Sequence, residues 1–276
     1  MHEAFENQIR GGEPIPEEKL KLKLTLGGSG AFVRFYGELN DFLPPARRGR
    51  LVAHRFDVGP SVKDAIESIG VPHPEVELVV VNSQPVDFSH TLKAGDFVSV
   101  YPAFHSIDLG SLPRLRRRLE GKPRFVLDVH LGRLAAYLRL LGFDTLYENT
   151  FTDAHVAAAS AGEGRIVLTR DRGLLKRNEV TYGYWVRQTE PRKQLVEALR
   201  RFDLAPYVDL FTRCLVCNTE LRRVDKQIIE SRVTPRTVEH FQDFHLCPLC
   251  NRVYWKGSHY RRMLLLVGRM LREART

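Results

Sequence analysis

The sequence predicts an α/β protein with a β-rich N-terminal domain, an α/β domain with a mainly parallel sheet, and a small cysteine-rich C-terminal domain. Three observations lead to this prediction. Short apolar runs dominate residues 21–105, strands and helices alternate from residue 124 to about 202, and two Cys-x-x-Cys pairs follow. With 276 residues, of which 43% are hydrophobic, the chain is long enough for more than one buried core.

Residues 1–20 are polar, contain five glutamates, and are expected to form a disordered extension. This acidic segment lacks an apolar run, so it is the opposite of a secretory signal. No segment reaches the roughly 20 apolar residues that a membrane span requires. We therefore expect a soluble, cytoplasmic protein without a membrane partner.

Residues 21–105 predict a domain of strands around one helix. The expected strands cover residues 21–26, 31–36, 51–56, 77–81 and 97–101, and the expected helix covers 62–69. Residues 106–123 follow as a linker that is basic because of the arginine run at 114–118.

Residues 124–205 alternate strands with helices, which predicts a mainly parallel sheet covered on both faces. The first helix is expected to end at Gly142 and to bury one face, formed by Leu131, Leu134, Ala135, Leu138 and Leu141. Further strands are expected at 143–147, 165–169 and 180–186, with helices at 154–161 and 191–202. Residues 206–276 complete the chain as the cysteine-rich domain and a C-terminal helix.

Two aspartates stand where predicted strands end. Asp128 follows Phe125-Val126-Leu127, Asp171 follows the run that ends in Thr169-Arg170, and Asp153 lies after a third strand. Since the carboxyl ends of parallel strands meet at one crevice, these carboxylates are expected to converge there. Such oxygen ligands suit Mg²⁺ or Mn²⁺. The alternative is helix capping, which we favour for Asp153 alone, whereas the repeated strand-end placement favours metal binding by Asp128 and Asp171.

The second half of the chain is strongly basic. Residues 1–105 contain 11 Lys and Arg against 14 Asp and Glu, whereas residues 106–276 contain 31 against 19. Basic charge around a carboxylate centre favours a nucleic-acid substrate. Arg133 and Arg170 lie close enough in sequence to bind phosphate there, or equally are ordinary solvated charges. His130 and His155 are more simply surface or packed imidazoles.

The four cysteines form two pairs, Cys214 with Cys217 and Cys247 with Cys250. Paired Cys-x-x-Cys motifs place four thiolates for a structural tetrahedral zinc ion, which we favour over disulfides or idle thiols. The 29 residues between the pairs predict an inserted element at about 233–241. The aromatic residues nearby either stack on unpaired bases or pack this domain: Tyr254, Trp255, His259 and Tyr260.

The motifs F-V-L-D-V-H-L-G-R-L, I-V-L-T-R-D-R-G-L-L and the two cysteine pairs resemble the bacterial Mut-seven C-terminal ribonuclease domain family, over about residues 124–263. The resemblance implies a PIN-like fold with a zinc ribbon and a metal-dependent ribonuclease acting on RNA. It implies Asp128, Asp153 and Asp171 as acidic site residues, and the cysteines as zinc ligands: Cys214, Cys217, Cys247 and Cys250. PIN-like sites often carry another acidic residue where this chain has Gly173. That difference favours the alternative of a catalytically weak or inactive RNA-binding protein.

The N-terminal domain is similar to ubiquitin-like β-grasp domains, on the motifs V-R-F-Y-G-E-L-N and L-K-A-G-D-F-V-S-V-Y-P. Related sulfur carriers end in Gly-Gly, whereas Tyr101 here runs on through Pro102 into the linker, so carrier chemistry is excluded. The resemblance implies a recognition role toward a protein partner. The resulting expectation is a ribonuclease that hydrolyses single-stranded RNA, with a ubiquitin-like domain for partner binding.

Overall fold

The computed structural model describes residues 30–103, residue 115 and residues 121–275. The expected N-terminal extension and the strand at 21–26 lie outside these residues, as does most of the expected linker. The chain divides into two compact units between Arg118 and Leu119. No helix among the described residues is both long and apolar enough to cross a membrane.

The first unit is a mixed five-stranded sheet with the strand order β2-β1-β5-β3-β4. The strands are β1 (Ala31–Phe35), β2 (Leu51–His54), β3 (Val76–Val81), β4 (Gln84–Val86) and β5 (Phe97–Pro102). β1 and β5 pair in parallel at the centre, and the other pairs are antiparallel. This is a ubiquitin-like arrangement, as the sequence predicts.

The helix α1 (Val62–Ile69) packs in this unit with the predicted bounds. The Ser61 hydroxyl accepts a hydrogen bond from Asp64 N at 3.1 Å and so caps its N-terminus. Gly70, with φ of 126°, ends the helix in a conformation that favours glycine. The buried residues Val62, Ala65 and Ile66 form the apolar face.

The second unit contains a four-stranded parallel sheet with the order β7-β6-β8-β9. Its strands are β6 (Phe125–Leu127), β7 (Thr145–Leu146), β8 (Ile166–Thr169) and β9 (Gly183–Trp185). Its helices are α2 (Gly132–Leu140), α3 (Asp153–Glu163), α4 (Arg172–Leu175) and α5 (Pro191–Arg201). The sequence pattern places β9 directly after β8, whereas the short helix α4 connects them.

Side chains on both faces of this sheet are buried, which confirms the predicted covering. Phe125 and Leu127 of β6 pack into one core with α2 and α5, and Val126 faces the opposite core with α3 and α4. All five residues of the predicted α2 face belong to the first core. The parallel sheet is therefore held rigidly between two helical layers, which fixes the positions of its strand ends.

The C-terminal part is a three-stranded antiparallel sheet, formed by β10 (Arg222–Val224), β11 (Phe244–Leu246) and β12 (Val253–Trp255). The helices α6 (Lys226–Ile229) and α7 (Pro235–His240) lie between β10 and β11, where the sequence predicts an insertion. The long helix α8 (Ser258–Arg275) returns to the parallel sheet, because its residues Val267 and Met270 are buried in the core that contains α5.

Candidate active site and metal centre

The two central strands of the parallel sheet, β6 and β8, end beside each other. β7 lies outside β6 and β9 lies outside β8, so the strand order reverses between the central pair. Ligands of open α/β sheets bind at the carboxyl ends of strands at such a reversal. Asp128 directly follows β6, and Asp171 stands two residues after β8. Both lie at the carboxyl edge of the sheet.

The Asp128 carboxylate is buried and tightly oriented, with a relative exposure of 5%. Its Oδ1 accepts a hydrogen bond from His130 N at 2.8 Å, and its Oδ2 accepts one from Arg170 N at 2.9 Å. The Thr169 hydroxyl also donates to Oδ2. A carboxylate has about four acceptor positions, so three donors fix its orientation and leave one position for a ligand.

Thr169 links the two aspartates. Its fully buried hydroxyl donates to Asp128 Oδ2 and accepts a hydrogen bond from Asp171 N at 2.8 Å. The sequence motifs do not predict a role for this residue. The feature that marks it is a hydroxyl at the last position of a predicted strand, two residues before a strand-end carboxylate.

Asp171 is exposed and caps the short helix α4, because its Oδ1 accepts a hydrogen bond from Gly173 N at 2.7 Å. Asp128 likewise caps the 3₁₀ turn at residues 129–131. Capping, the alternative to metal binding, is therefore present at both aspartates. Among the described residues, Asp171 Oδ2 has no hydrogen-bond partner, so it is available to a ligand.

Asp153 is the exposed first residue of α3, seven residues beyond the end of β7. Thr152 rather than Asp153 caps this helix, since its hydroxyl accepts a hydrogen bond from His155 N at 3.3 Å. Within the described residues, Asp128, Asp153 and Asp171 do not form a compact three-ligand cluster. Mg²⁺ commonly uses one or two carboxylates together with water and substrate phosphate, so the donor set fits such an ion.

The two predicted phosphate-binding arginines differ in their surroundings. Arg133 is exposed in the first turn of α2. The Arg170 guanidinium instead donates from Nη1 to the carbonyls of Val186, Arg187 and Gln188, at 3.0, 3.1 and 2.7 Å. Arg170 therefore holds the loop between β9 and α5 against the carboxyl edge.

The two histidines near the carboxylates are both exposed. The His155 ring contacts the Thr152 hydroxyl, with 2.8 Å between Nδ1 and Oγ1, and stacks on Phe151 with the ring centroids 6.2 Å apart. These contacts bear out the interpretation of His155 as a surface side chain. Tyr147, which was not singled out from the sequence, donates from its hydroxyl to Val129 O at 3.2 Å.

The four cysteines form the one compact group of three or more possible metal ligands among the described residues. Their sulfurs all lie within 4.8 Å of one another, with 3.5 Å between Cys214 and Cys250 and 3.3 Å between Cys217 and Cys247. Four sulfurs around one zinc ion would be about 3.8 Å apart, because the Zn–S distance is about 2.3 Å. The cluster thus fits a tetrahedral zinc ion.

The Cys217 thiol is suited to metal binding. Burial raises its pKa, but hydrogen bonds with Thr219 and the neighbouring thiols outweigh burial and lower the pKa to about 6. Metal ligation requires the thiolate, and a lowered pKa favours that form.

The two Cys-x-x-Cys turns, Cys214–Cys217 and Cys247–Cys250, are called here the first and second knuckle. They share a local geometry. Asn218 and Asn251 each follow the second cysteine of a pair and adopt left-handed conformations, with φ of 67° and 57°. Each donates its backbone N–H to the carbonyl of the first cysteine, Cys214 or Cys247. Asparagine tolerates this conformation better than most residues, so the repeated Cys-x-x-Cys-Asn pattern is a sequence signal for the turn.

Arg139 joins the first knuckle to the parallel sheet. Its side chain is buried, and Nη1 donates to Val216 O at 2.6 Å while Nε donates to Thr145 O at 3.0 Å. A third contact, from Nη2 to Tyr147 O, is 3.3 Å long. Burial lowers the pKa of Arg139, which the nearby thiols partly offset. The knuckle is therefore fixed to the edge strand β7.

A second connection runs through Asn218 and Asp144. Asn218 Oδ1 accepts a hydrogen bond from Thr145 N at 2.9 Å, and Asn218 Nδ2 donates to Asp144 Oδ1 at 2.7 Å. Asp144 also pairs with the buried Arg165, with 2.7 Å between Oδ1 and Nη1. Burial alone would raise the pKa of Asp144, but the hydrogen bonds from Arg165 and Asn218 outweigh it and lower the pKa.

Replacing Asp144 with Asn is expected to reduce the free energy of unfolding by about 2 to 3 kcal/mol at pH 7, because the buried Arg165 loses a charged partner. The lowered pKa stabilises the fold above the ordinary Asp pKa of about 4, and this contribution disappears as the pH falls through the folded-state value. The difference between wild type and Asp144→Asn in urea unfolding should therefore shrink below about pH 4.

The matched control is Asp203→Asn, because Asp203 is exposed and has a left-handed φ of 45° that asparagine accommodates. It should unfold like the wild type at each pH. An Asp144→Asn protein as stable as the wild type at pH 7 would contradict the assigned role.

Of the aromatic residues near the knuckles, the two tyrosines pack the cysteine-rich domain. The Tyr254 hydroxyl lies 3.1 Å from Cys214 Sγ and accepts a hydrogen bond from Leu215 N, so this ring packs the ribbon. Tyr260 packs against Phe211, with 4.9 Å between the ring centroids. Trp255 and His259 line a surface cavity, to which Tyr254 and Tyr260 also contribute.

Comparison with known proteins gives two matches. The family model described as Mut7-C RNAse domain matches residues 123–267, which is more than half of the chain, and the model described as Mut7-C ubiquitin matches residues 28–108. Searches of curated proteins and of solved structures found no match. The matched order, a ubiquitin-like domain ahead of a parallel α/β sheet with a four-cysteine cluster, agrees with the observed architecture. The chain belongs to the Mut7-C RNAse domain family.

Proposed function

We propose that this protein is a divalent-metal-dependent ribonuclease that hydrolyses phosphodiester bonds of single-stranded RNA at the carboxyl edge of its parallel sheet. One observation carries the proposal. At the strand-order reversal, the buried Asp128 is oriented by three donors and tied through the Thr169 hydroxyl to the residue that bears the open carboxylate, Asp171. The family membership supports RNA as the substrate class.

The proposed division of roles follows from burial and hydrogen bonding. Asp128 and Asp171 would hold Mg²⁺ or Mn²⁺, and Asp153 would contribute directly or through water. When bound, such an ion would supply Lewis-acid polarisation of the scissile phosphate and would activate a water molecule. Thr169 positions both aspartates, because its hydroxyl contacts the side chain of one and the backbone of the other.

Phosphate binding is proposed for Arg133 and Arg170. Arg133 is exposed in the first turn of α2, a helix that begins four residues after Asp128. Arg170 uses Nη1 for the carbonyls of the β9–α5 loop, and its Nε and Nη2 have no other partner among the described residues. Zinc bound by the cysteines is proposed to be structural, since four protein thiolates leave no open coordination position.

A second candidate function is an RNA-binding protein with weak or no catalysis, whose ubiquitin-like domain recruits a protein partner. Two observations favour it. Gly173 stands where PIN-like sites often carry an acidic residue, and the described carboxylates do not form a compact trio. Under this alternative, the basic half of the chain would bind RNA without cleaving it.

The deciding experiment is a cleavage assay of the full chain with end-labelled single-stranded and duplex RNAs, with added Mg²⁺, Mn²⁺, Ca²⁺ or no divalent ion. We expect cleavage of the single strand that depends on Mg²⁺ or Mn²⁺, because these ions suit carboxylate ligands and octahedral geometry. Binding of RNA without cleavage under every condition would contradict the ribonuclease proposal and select the binding protein. Chelators are avoided, so that the cysteine site stays loaded.

A further inference from the structure

We propose that a groove along α8 binds single-stranded RNA and leads it from the ribbon to the carboxyl edge of the sheet, an inference that rests on the proposed ribonuclease function. Two cavities form this groove, which we call the α8 groove. One of about 430 Å³ lies between α8 and the first turn of α5, and one of about 500 Å³ lies between α8, β12 and the first cysteine knuckle. His259 and Met263 line both cavities, so the two adjoin.

The groove is basic. Arg192, Arg262 and Arg269 line the first cavity and Arg252 lines the second, and all four are exposed. Across the part of the chain that the structure describes, none of these four guanidinium groups is in an ion pair, and no Asp or Glu lines either cavity. Unpaired arginines along one groove favour a polyanion, because phosphate binding releases its condensed counterions.

Apolar and aromatic surface lies between these charges. Met263 and Leu266 are half-buried in the first cavity, and Trp255 is half-buried in the second. The indole lies against the backbone of Gly257, where a Cβ would come within 2.7 Å of Trp255 Nε1. Unpaired bases offer faces that contact such surfaces, whereas a duplex presents mainly phosphates. The combination therefore fits a single strand.

The groove begins next to the proposed catalytic edge. Arg192 lies in the first turn of α5, directly after the loop whose carbonyls Arg170 Nη1 holds. The backbone N–H of the same Arg170 donates to Asp128 Oδ2. Arg170 thus connects the buried Asp128 carboxylate to the start of the groove. An RNA strand bound in the groove would approach that carboxylate.

The test is binding of fluorescein-labelled single-stranded RNA by the full chain, without added divalent ions, across a salt series. The double variant Arg262→Gln/Arg269→Gln should bind about tenfold more weakly, and the slope of log Kd against log salt should fall by about 1.4, because two phosphate contacts are lost. The control is Arg222→Gln/Arg236→Gln, which removes the same charge from exposed positions of the same unit that line neither cavity. It should keep the wild-type affinity and slope.

A second measurement detects RNA bound at the end of the groove that lies beside Trp255. The chain has two tryptophans, so Trp185→Phe leaves Trp255 as the sole indole. Its fluorescence should be quenched on addition of single-stranded RNA, because a base stacks near or on the ring. Single-stranded DNA of the same sequence should quench similarly, since the groove contacts are to phosphates and base faces.

The outcomes separate the groove from the catalytic proposal. A wild-type affinity and salt slope in the arginine variant, or an unchanged Trp255 signal, would overturn the groove even if the protein cleaves RNA. A competition experiment with unlabelled polyglutamate is a further check. If polyglutamate displaces the labelled RNA as well as unlabelled RNA of equal charge does, the groove is a non-specific anion surface and the proposal is overturned. Weakened binding in the arginine variant together with quenching would support the groove even if no RNA is cleaved.

Discussion

Asp128→Asn is expected to reduce metal-dependent RNA cleavage by at least about a hundredfold, since a metal ion contributes several kcal/mol to transition-state stabilisation. Asparagine keeps the shape of the side chain, and its single amide oxygen can still accept a hydrogen bond at one of the two positions, from His130 N or from Arg170 N. It loses the charge that holds a hard cation, so the fold should persist while cleavage is lost. Asp171→Asn should behave in the same way, because its exposed carboxylate offers the open oxygen.

Single-turnover cleavage rates across a Mg²⁺ titration would measure this effect, with circular dichroism to establish folding. Asp203→Asn is the matched control, since it makes the same change after the end of α5. The adjacent Phe202 contacts Phe125, the first residue of β6, with 5.8 Å between the ring centroids, so Asp203 lies at the opposite edge of the sheet. Folded Asp128→Asn protein that cleaves at the wild-type rate would remove this carboxylate from the proposed site.

Cys247→Ser is expected to abolish zinc binding and unfold the ribbon, because structural zinc contributes about 10 to 16 kcal/mol of apparent binding free energy to folding. Cys247 is fully buried in the four-sulfur cluster, and serine oxygen is a poor substitute for a thiolate ligand. Elemental analysis should give about one zinc per wild-type chain and almost none in the variant. Limited proteolysis should cut the variant between β10 and β12.

Leu249→Ser is the control, because it changes an exposed residue of the same knuckle and leaves all four thiolates in place. It should retain zinc and resist proteolysis. Wild-type protein that contains no zinc when purified without chelator would contradict the structural assignment. If the fraction of Cys247→Ser protein that remains folded still cleaves RNA, Cys247 has no direct part in catalysis.

Much of the fold follows from patterns within single elements. The bounds of α1 are predicted because Ser61 and Gly70 mark its ends, and the buried face of α2 is predicted from its helical spacing. β4 is missed because its three residues are too few for periodicity and include Pro85, and α4 has only four residues, indicated in the sequence solely by Leu174-Leu175 after Asp171. Short elements form because neighbouring strands and the core stabilise them. These tertiary contacts cannot be predicted from the local sequence pattern.

The site is predictable only in part, for a similar reason. Strand ends of a parallel sheet meet at one edge, so the positions of Asp128 and Asp171 follow from topology. The contacts that orient them depend on side chains brought together from distant positions, such as the Thr169 hydroxyl, 41 residues from Asp128. Arg139 contacts Val216, 77 residues away, and nothing in its helical context distinguishes it from a solvated arginine.

The attachment of the first knuckle to β7 bears on whether this strand can pair with strands of other molecules. β7 is an edge strand of two residues, and exposed strand edges readily pair with strands of other molecules. Here Asn218 Oδ1 accepts a hydrogen bond from Thr145 N, and Arg139 Nε donates one to Thr145 O. These side chains therefore use the backbone groups with which another strand would pair. Asn218 belongs to the turn that the cysteines shape, and loss of the metal would therefore open a strand edge to intermolecular pairing. We therefore expect zinc bound by the four cysteines to protect the parallel sheet against aggregation.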